Sequence, residues 1–275
     1  MIRKLVDLLF GGKKRRREKL LAEPFPEQWR PIVRGAVPHI DLLSDAERNK
    51  LENDIRIFLA EKYFVAGADI AITETMRVTI AAGACMLIVA LPRLDVFPRL
   101  REIIIYPHNF TEQIEAIGPD GRPYQIHRTR SGEAWRRGPV ILAWNTVAHS
   151  VAAPHDGYNV VIHEFAHVLD MQNGAADGEP PLQSAEAHTH WERVFYPAFD
   201  RFVDDQRRGR PTLVDPYGAE NPAEFFAVAS EHFFEQAPLL QRYHPDLYAL
   251  LRDFYQQDPI RWTTSNPRRI PRALY

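Results

Sequence analysis

The chain has 275 residues, of which 45% are hydrophobic and 25% are charged, so it can bury a sizeable core and does not have the composition of a disordered protein. Its formal net charge of -2 gives no global basic field, which argues against direct binding of nucleic acid. Cys85 is the single cysteine, so no disulfide can form within the chain, as is usual for a reducing compartment.

Residues 1–22 have the pattern of a basic arm in front of the main domain. They contain the basic run 13–17, and helical spacing could place three leucines on one amphipathic face: Leu5, Leu8 and Leu9. Chain termini are usually loose, so we expect a solvated and partly mobile arm. Contact of the arm with a membrane or a partner is the alternative. Residues 23–275 are expected to form one domain.

Neither a secretory leader nor a stable membrane span is predicted. Asp7 interrupts the apolar part of the N-terminus, and no small-residue cleavage site follows it. The longest apolar stretch, Thr79 to Leu91, is shorter than the roughly 20 residues that a membrane-spanning helix needs. These observations predict a cytoplasmic protein.

Two helices are predicted in the first third of the chain. The first runs from Ser44 to about Tyr63, with Ser44 as its N-cap and Glu47 placed to complete a capping box. The second runs from Thr73 to Leu91 and is apolar on nearly every side, which predicts a buried central helix.

Predicted strands follow, and then a long helical part. Glu102 to Tyr106 contains three consecutive isoleucines, residues 118–121 carry a turn signal, and Tyr124 to Arg130 is the candidate return strand. Gly138 to Trp144 is a further strand candidate. From Tyr158 to about Tyr255 the pattern is mostly helical. The order predicts an α+β fold that is mostly helical with a small sheet.

Residues 163–167 read His-Glu-Phe-Ala-His and form the strongest signal in the chain. On a helix, His163 and His167 project from one face at the spacing that a single zinc ion requires. Glu164 then lies beside the metal, where a carboxylate can take a proton from a zinc-bound water. The apolar flanks predict a buried helix from about Asn159 to Met171. Two histidines and a glutamate are costly to bury there unless a metal pairs with them.

A catalytic zinc usually has a third protein ligand and an open position for water. The downstream candidates are His188, His190, Glu220, Glu224, Glu231 and His232. Asn221 and Pro222 predict the start of a helix, which places Glu224 in its first turn, either as a metal ligand or as part of a cap. Glu231 lies on the same face and is the rival ligand.

Asp170, His188 and His190 each have more than one reading. Asp170 is either an acceptor for a ligand imidazole or a polar residue near a helix end. His188 and His190 lie in a polar stretch and are expected at the surface or on a substrate rim. Cys85 lies in an apolar helix and is expected in the core.

The segments HEFAHVLD (163–170) and DPYGAENPAEFFAVASEHFF (215–234) together resemble the Mlc titration factor A family of zinc peptidases, whose fold is zincin-like. The resemblance extends over most of the chain. It implies that His163, His167 and Glu224 are the zinc ligands, that Glu164 is the catalytic base and that Tyr217 assists the transition state. Thermolysin-type enzymes carry Asp four residues after the third ligand, whereas this chain has Val228.

The resemblance also implies an activity and a partner. Members of that family cleave short peptide-like substrates with aminopeptidase-type activity, and they bind a transcription repressor of the Mlc type. By analogy with zincins, Gly138 to Trp144 is expected to be an edge strand that lines the cleft and pairs with a peptide substrate. The rival hypothesis is a regulatory protein that sequesters a repressor and for which hydrolysis is incidental. A purely structural zinc site is disfavoured, because such sites are usually closed by four ligands and rich in cysteine.

Overall fold

The computed structural model describes residues 2–91, 95–117, 123–130, 132–134 and 138–262. Within these ranges the helices are α1 (Ile2–Ala22), α2 (Arg30–Ala36), α3 (Asp45–Glu61), α4 (Glu74–Ile88), α5 (Trp144–Ala152), α6 (Val160–Asp170), α7 (Ala185–Arg207), α8 (Pro222–Glu235), α9 (Ala237–Tyr243) and α10 (Pro245–Tyr255). The strands are β1 (Tyr63–Ala66), β2 (Glu102–Tyr106), β3 (Phe110–Ile117), β4 (Pro123–Arg130), β5 (Gly132–Ala134) and β6 (Val140–Ala143). The predicted α+β composition, mostly helical with a small sheet, is confirmed.

The first two helices predicted in the main domain form where the sequence places them. At α3 the Ser44 hydroxyl accepts from the backbone N–H of Glu47 at 3.3 Å, and the Glu47 carboxylate accepts from the backbone N–H of Ser44 at 2.8 Å, so the capping box is present. Helix α4 is buried along nearly its whole length, as expected. A side chain on Gly83 would meet Val161 at 2.9 Å, so this glycine allows α4 to pack closely against α6.

The main sheet has the strand order β1-β2-β6-β5. Strands β1, β2 and β6 are parallel, with α4 as the crossover between β1 and β2, and β5 pairs antiparallel with β6. Strands β3 and β4 form a separate antiparallel hairpin. The turn predicted at 118–121 lies outside the described residues.

The position predicted for the substrate-binding edge strand is wrong. The strand in Gly138 to Trp144 is β6, which ends at Ala143 because Trp144 already begins α5. It is also an interior strand. Strand β2 pairs with it on one side, and β5 pairs with it on the other, with Glu133 opposite Ile141. The strand at that end of the described sheet is therefore β5.

Two basic residues in the second half of α1 contact the main domain. Arg17 donates to both carboxylate oxygens of Glu61 on α3, at 2.6 and 2.8 Å, and to Asp95 at 2.6 Å. Lys13 pairs with the same two acidic residues at 3.3 and 3.0 Å. These ion pairs fasten residues 12–22 to the main body. Among the described helices, none is both long and apolar enough to cross a bilayer.

An aromatic cluster supports the inner face of α6. The ring of Phe165 packs against Phe97 with centroids 4.9 Å apart and against Phe58 with centroids 5.7 Å apart. Burying a side chain of this size stabilises the fold by about 1.5–3 kcal/mol. Strands β5 and β6 also contact α6, so the helix is held between the core and the sheet.

Candidate metal centre

Helix α6 carries the two histidines of the motif. It begins because the Asn159 side chain accepts from the backbone N–H of Ile162 at 3.2 Å, satisfying one of the free N–H groups of the first turn. Most apolar residues of the helix are buried. His163 and His167, four positions apart, both line a cleft of about 260 Å³. The predicted helix from Asn159 to Met171 is confirmed, with Asn159 as its cap.

Helix α8 brings Glu224 to the same cleft. Asn221 is the N-cap and accepts from the backbone N–H of Glu224 at 3.0 Å, and Pro222 occupies the first turn, as the sequence predicts. The Glu224 carboxylate is turned toward the histidines of α6, with Oε2 at 3.1 Å from Nε2 of each ring. The backbone of Glu224 is therefore capped, and its side chain remains available for the cleft.

The donor atoms of these three residues have the spacing of a metal site. The Nε2 atoms of His163 and His167 are 3.3 Å apart, and both are 3.1 Å from Glu224 Oε2. Ligand atoms held tetrahedrally at about 2.0–2.1 Å from zinc would be about 3.3–3.4 Å from one another. Within the described residues, this is the group of histidine, cysteine and acidic side chains close enough to hold a metal ion. Two imidazoles and one carboxylate fit zinc.

The electrostatics of the cluster suit a cation. Burial on its own would raise the pKa of Glu224, but hydrogen bonds from His163 and His167 outweigh it and hold that pKa well below its usual range. Burial opposes the charge on His163, yet hydrogen bonds to Glu224 and Glu231 raise the pKa of the ring well above its ordinary value. The carboxylates therefore favour positive charge at this point, which a proton or a metal ion can supply.

Glu164 lies in the same cleft and is 3% exposed. Strand β5 passes directly over it at Gly132, where an added Cβ would overlap the Glu164 carboxylate and lie 2.7 Å from its Cδ. Glycine at this position therefore gives the carboxylate its room. Sequence reasoning missed Gly132, although a glycine inside a strand often marks such a close approach.

Tyr217 lies on the short 3₁₀ helix Pro216–Ala219 in front of α8. The Asp215 side chain accepts from the backbone N–H of Tyr217 at 2.8 Å and so fixes the turn. The phenol lines the cleft and donates to Glu224 Oε1 at 3.3 Å, and its ring lies 5.9 Å from that of His163. These contacts place the phenol beside the residues of the candidate metal site.

Other candidate ligands are directed elsewhere. His188 and His190 both lie on α7, outside the group formed by His163, His167 and Glu224. His188 pairs with Glu179, and His190 accepts from Arg193 at 3.1 Å. His232 is buried on α8, where its Nδ1 contacts the backbone oxygen of Val228 at 3.1 Å. Glu231 approaches the opposite ring nitrogen of His163, Nδ1, at 2.8 Å.

Asp170 fastens the loop that follows α6. Its carboxylate accepts from the backbone N–H of Gly178 at 3.0 Å, and burial raises its pKa to about 7. Gly178 has a φ of +78°, and its backbone packs closely against that of Pro222, where a side chain would not fit. The loop therefore contacts the start of α8. Of the two readings of Asp170, the described contacts favour the structural one.

Known proteins resemble this chain over most of its length. Residues 12–256 match the family described as glucose-regulated metallo-peptidase M90. An uncharacterized protein of Synechocystis sp. is 40% identical over 248 residues, which cover 89% of this chain and 89% of that protein. Mlc titration factor A of Pectobacterium atrosepticum is 32% identical over 241 residues, covering 85% of this chain and 87% of that protein. Mlc titration factor A of Yersinia pestis is 31% identical over 249 residues, covering 86% and 88%. The chain therefore belongs to the glucose-regulated metallo-peptidase M90 family, which confirms the resemblance seen in its sequence.

Proposed function

We propose that this protein is a zinc-dependent peptidase with a zincin-like site, in which His163, His167 and Glu224 hold the metal. The observation that carries the proposal is the spacing of the three donor atoms, 3.1, 3.1 and 3.3 Å, at the floor of one cleft. Membership of a metallo-peptidase family supports a metal-dependent hydrolase. Zinc held there would polarise the scissile carbonyl and lower the pKa of the attacking water toward 7.

The residues around the metal have distinct roles in this proposal. Glu164 takes a proton from the attacking water and passes it to the leaving amine. Tyr217 donates a hydrogen bond to the oxygen that gains negative charge as the carbonyl is attacked. Both side chains line the cleft beside the ligands, which supports the assignment. The reaction is a one-step hydrolysis without a covalent intermediate.

A peptide is the substrate class that best suits the cleft. Gly132 and Ala134 of β5 line it, and β5 is the last strand of the described sheet. An extended peptide can pair with the backbone of such a strand. The family resemblance adds a preference for short peptides with aminopeptidase-type cleavage.

A second function concerns regulation. Relatives that are 31–32% identical over most of the chain carry the name Mlc titration factor A. We propose a transcription repressor of the Mlc type as a binding partner. The rival hypothesis, in which sequestering the repressor is the main role and hydrolysis is incidental, rests on the same relatives.

The test of the proposed function is a cleavage assay with a library of short peptides, with products identified by mass spectrometry. Zinc-loaded protein should cleave a subset of the library. Removal of zinc by a chelator should abolish cleavage, because the attacking water loses its activation, and added zinc should restore it. If fully zinc-loaded protein cleaves no member of a diverse library, the peptidase assignment is wrong.

A further inference from the structure

Glu231 is a buried carboxylate placed behind one of the proposed ligands. It is 2% exposed, and both of its oxygens have partners. Oε1 lies 2.8 Å from His163 Nδ1, and Oε2 accepts from the backbone N–H of Asn159 at 2.5 Å. A carboxylate is costly to bury unless it is hydrogen-bonded, and these two contacts offset that cost.

The contact with Nδ1 decides which nitrogen of His163 faces the cleft. A neutral imidazole has one N–H donor and one acceptor nitrogen, and an ionised carboxylate only accepts. When a metal takes the place of the proton on Nε2, Glu231 would therefore keep the remaining proton on Nδ1 and leave the Nε2 lone pair for the metal. That Nε2 is the atom at 3.1 Å from Glu224 and 3.3 Å from the corresponding nitrogen of His167.

The position of Glu231 is itself fixed from α6. Asn159 is the N-cap of that helix, and its backbone N–H donates to Glu231. The Asn159 side-chain amide donates to Glu235 Oε1 at 2.9 Å, one turn further along α8. Two carboxylates on α8 thus reach the same residue at the start of α6, but of these two only Glu231 also reaches a proposed ligand.

We propose that Glu231 is a positioning residue that sets the tautomer and the ring orientation of His163 for metal binding. The inference rests on the proposed zinc site. Helix α8 then supplies both the third ligand and, two turns later on the same face, the carboxylate that orients the first ligand.

The test measures zinc affinity by competition with a chelator of known affinity. Glu231→Gln keeps the shape of the side chain and removes its charge. It should weaken zinc binding by about 10–100-fold, the usual loss when a carboxylate behind a ligand histidine is removed. It should still bind one zinc at saturation, because all three ligands remain. Glu224→Gln, which removes a ligand, should lose zinc more severely.

Glu235→Gln is the matched control. It changes the same chemical group one turn away and removes the charge from the other carboxylate that contacts Asn159, but it does not touch His163. Its zinc affinity should equal that of the wild type, even if its melting temperature falls as much as that of Glu231→Gln. Equal weakening in both variants, or wild-type affinity in Glu231→Gln, would show that Glu231 only joins the two helices.

Two further results separate this inference from the proposed function. If the wild type binds no zinc, the proposed site itself is wrong. If the wild type and Glu231→Gln bind zinc equally well, the site stands and the role of Glu231 is overturned. Should Glu231→Gln fail to fold, Glu231→Asp keeps the charge on a side chain too short for the 2.8 Å contact. Weakened zinc binding in that variant supports the inference, and unchanged binding contradicts it.

Discussion

Glu164→Gln should lower kcat for peptide hydrolysis by about 10²–10⁴, the usual contribution of a general base and acid. The amide keeps the size of the side chain but can neither take the proton from water nor return it to the leaving amine. Zinc content should not change, because Glu164 is not one of the three clustered donors. Steady-state kinetics on a peptide found in the library, together with metal analysis of the same sample, measures both. A variant that retains kcat within a few-fold would remove Glu164 from the mechanism.

Gly132→Ala perturbs the same base through the backbone of β5. The added methyl would overlap the Glu164 carboxylate and push it from its position. We expect a lower kcat with unchanged zinc affinity. Ala134→Gly alters the same strand without adding an atom beside the base and is the matched control. If both variants lose activity equally, the loss comes from the strand and not from the displaced carboxylate.

The Glu164→Gln variant also distinguishes the two hypotheses for the role of the protein. It should still bind a repressor of the Mlc type, since the substitution lies inside the cleft and leaves the outer surface unchanged. If regulation in cells survives the loss of hydrolysis, the binding role is the main one. If regulation is lost although binding persists, cleavage is required.

Tyr217→Phe should lower kcat by about 10²–10³ and leave KM nearly unchanged, because an oxyanion donor acts mainly in the transition state. Phenylalanine keeps the ring that lies 5.9 Å from His163, so the packing beside Pro216 should be preserved. The phenol also donates to Glu224 Oε1 at 3.3 Å, which gives it a second possible role as a support for that ligand.

Zinc affinity separates these two roles of Tyr217. If Tyr217 is an oxyanion donor, the variant should have a reduced kcat, wild-type zinc affinity and an unchanged melting temperature. If Tyr217 instead supports Glu224, the variant should bind zinc more weakly, and saturating zinc should restore its kcat. Near-normal kcat and normal zinc affinity together would leave Tyr217 as a packing residue.

The parts of the site that depend on local chemistry were predictable from sequence. Asn159 and Asn221 cap the helices that carry the proposed metal ligands, and a cap depends only on the residues next to it. The spacing of His163 and His167 places both rings on one face of any regular helix. Glu224 joined them as the preferred ligand only through the family resemblance, because its position after Asn221 suits a cap equally well.

The parts that depend on long-range pairing were not predictable. Strand β5 lines the cleft because residues 132–134 pair with residues 140–142, and nothing within either segment determines that partner. The same limit applies to Glu231. Its seven-residue spacing from Glu224 places it on the correct face of α8, but the crossing of α8 and α6 decides which nitrogen of His163 it reaches. The ion pairs of Lys13 and Arg17 likewise depend on acidic residues far along the chain.

The central claim is that His163 and His167 hold one zinc ion, and elemental analysis of purified protein tests it most directly. The wild type should contain one equivalent of zinc per chain, and His163→Ala and His167→Ala should contain almost none, since each removes a donor from a three-ligand site. His188→Ala, which changes an exposed histidine paired with Glu179, should keep the full equivalent. A full equivalent of zinc in both His163→Ala and His167→Ala would contradict the account.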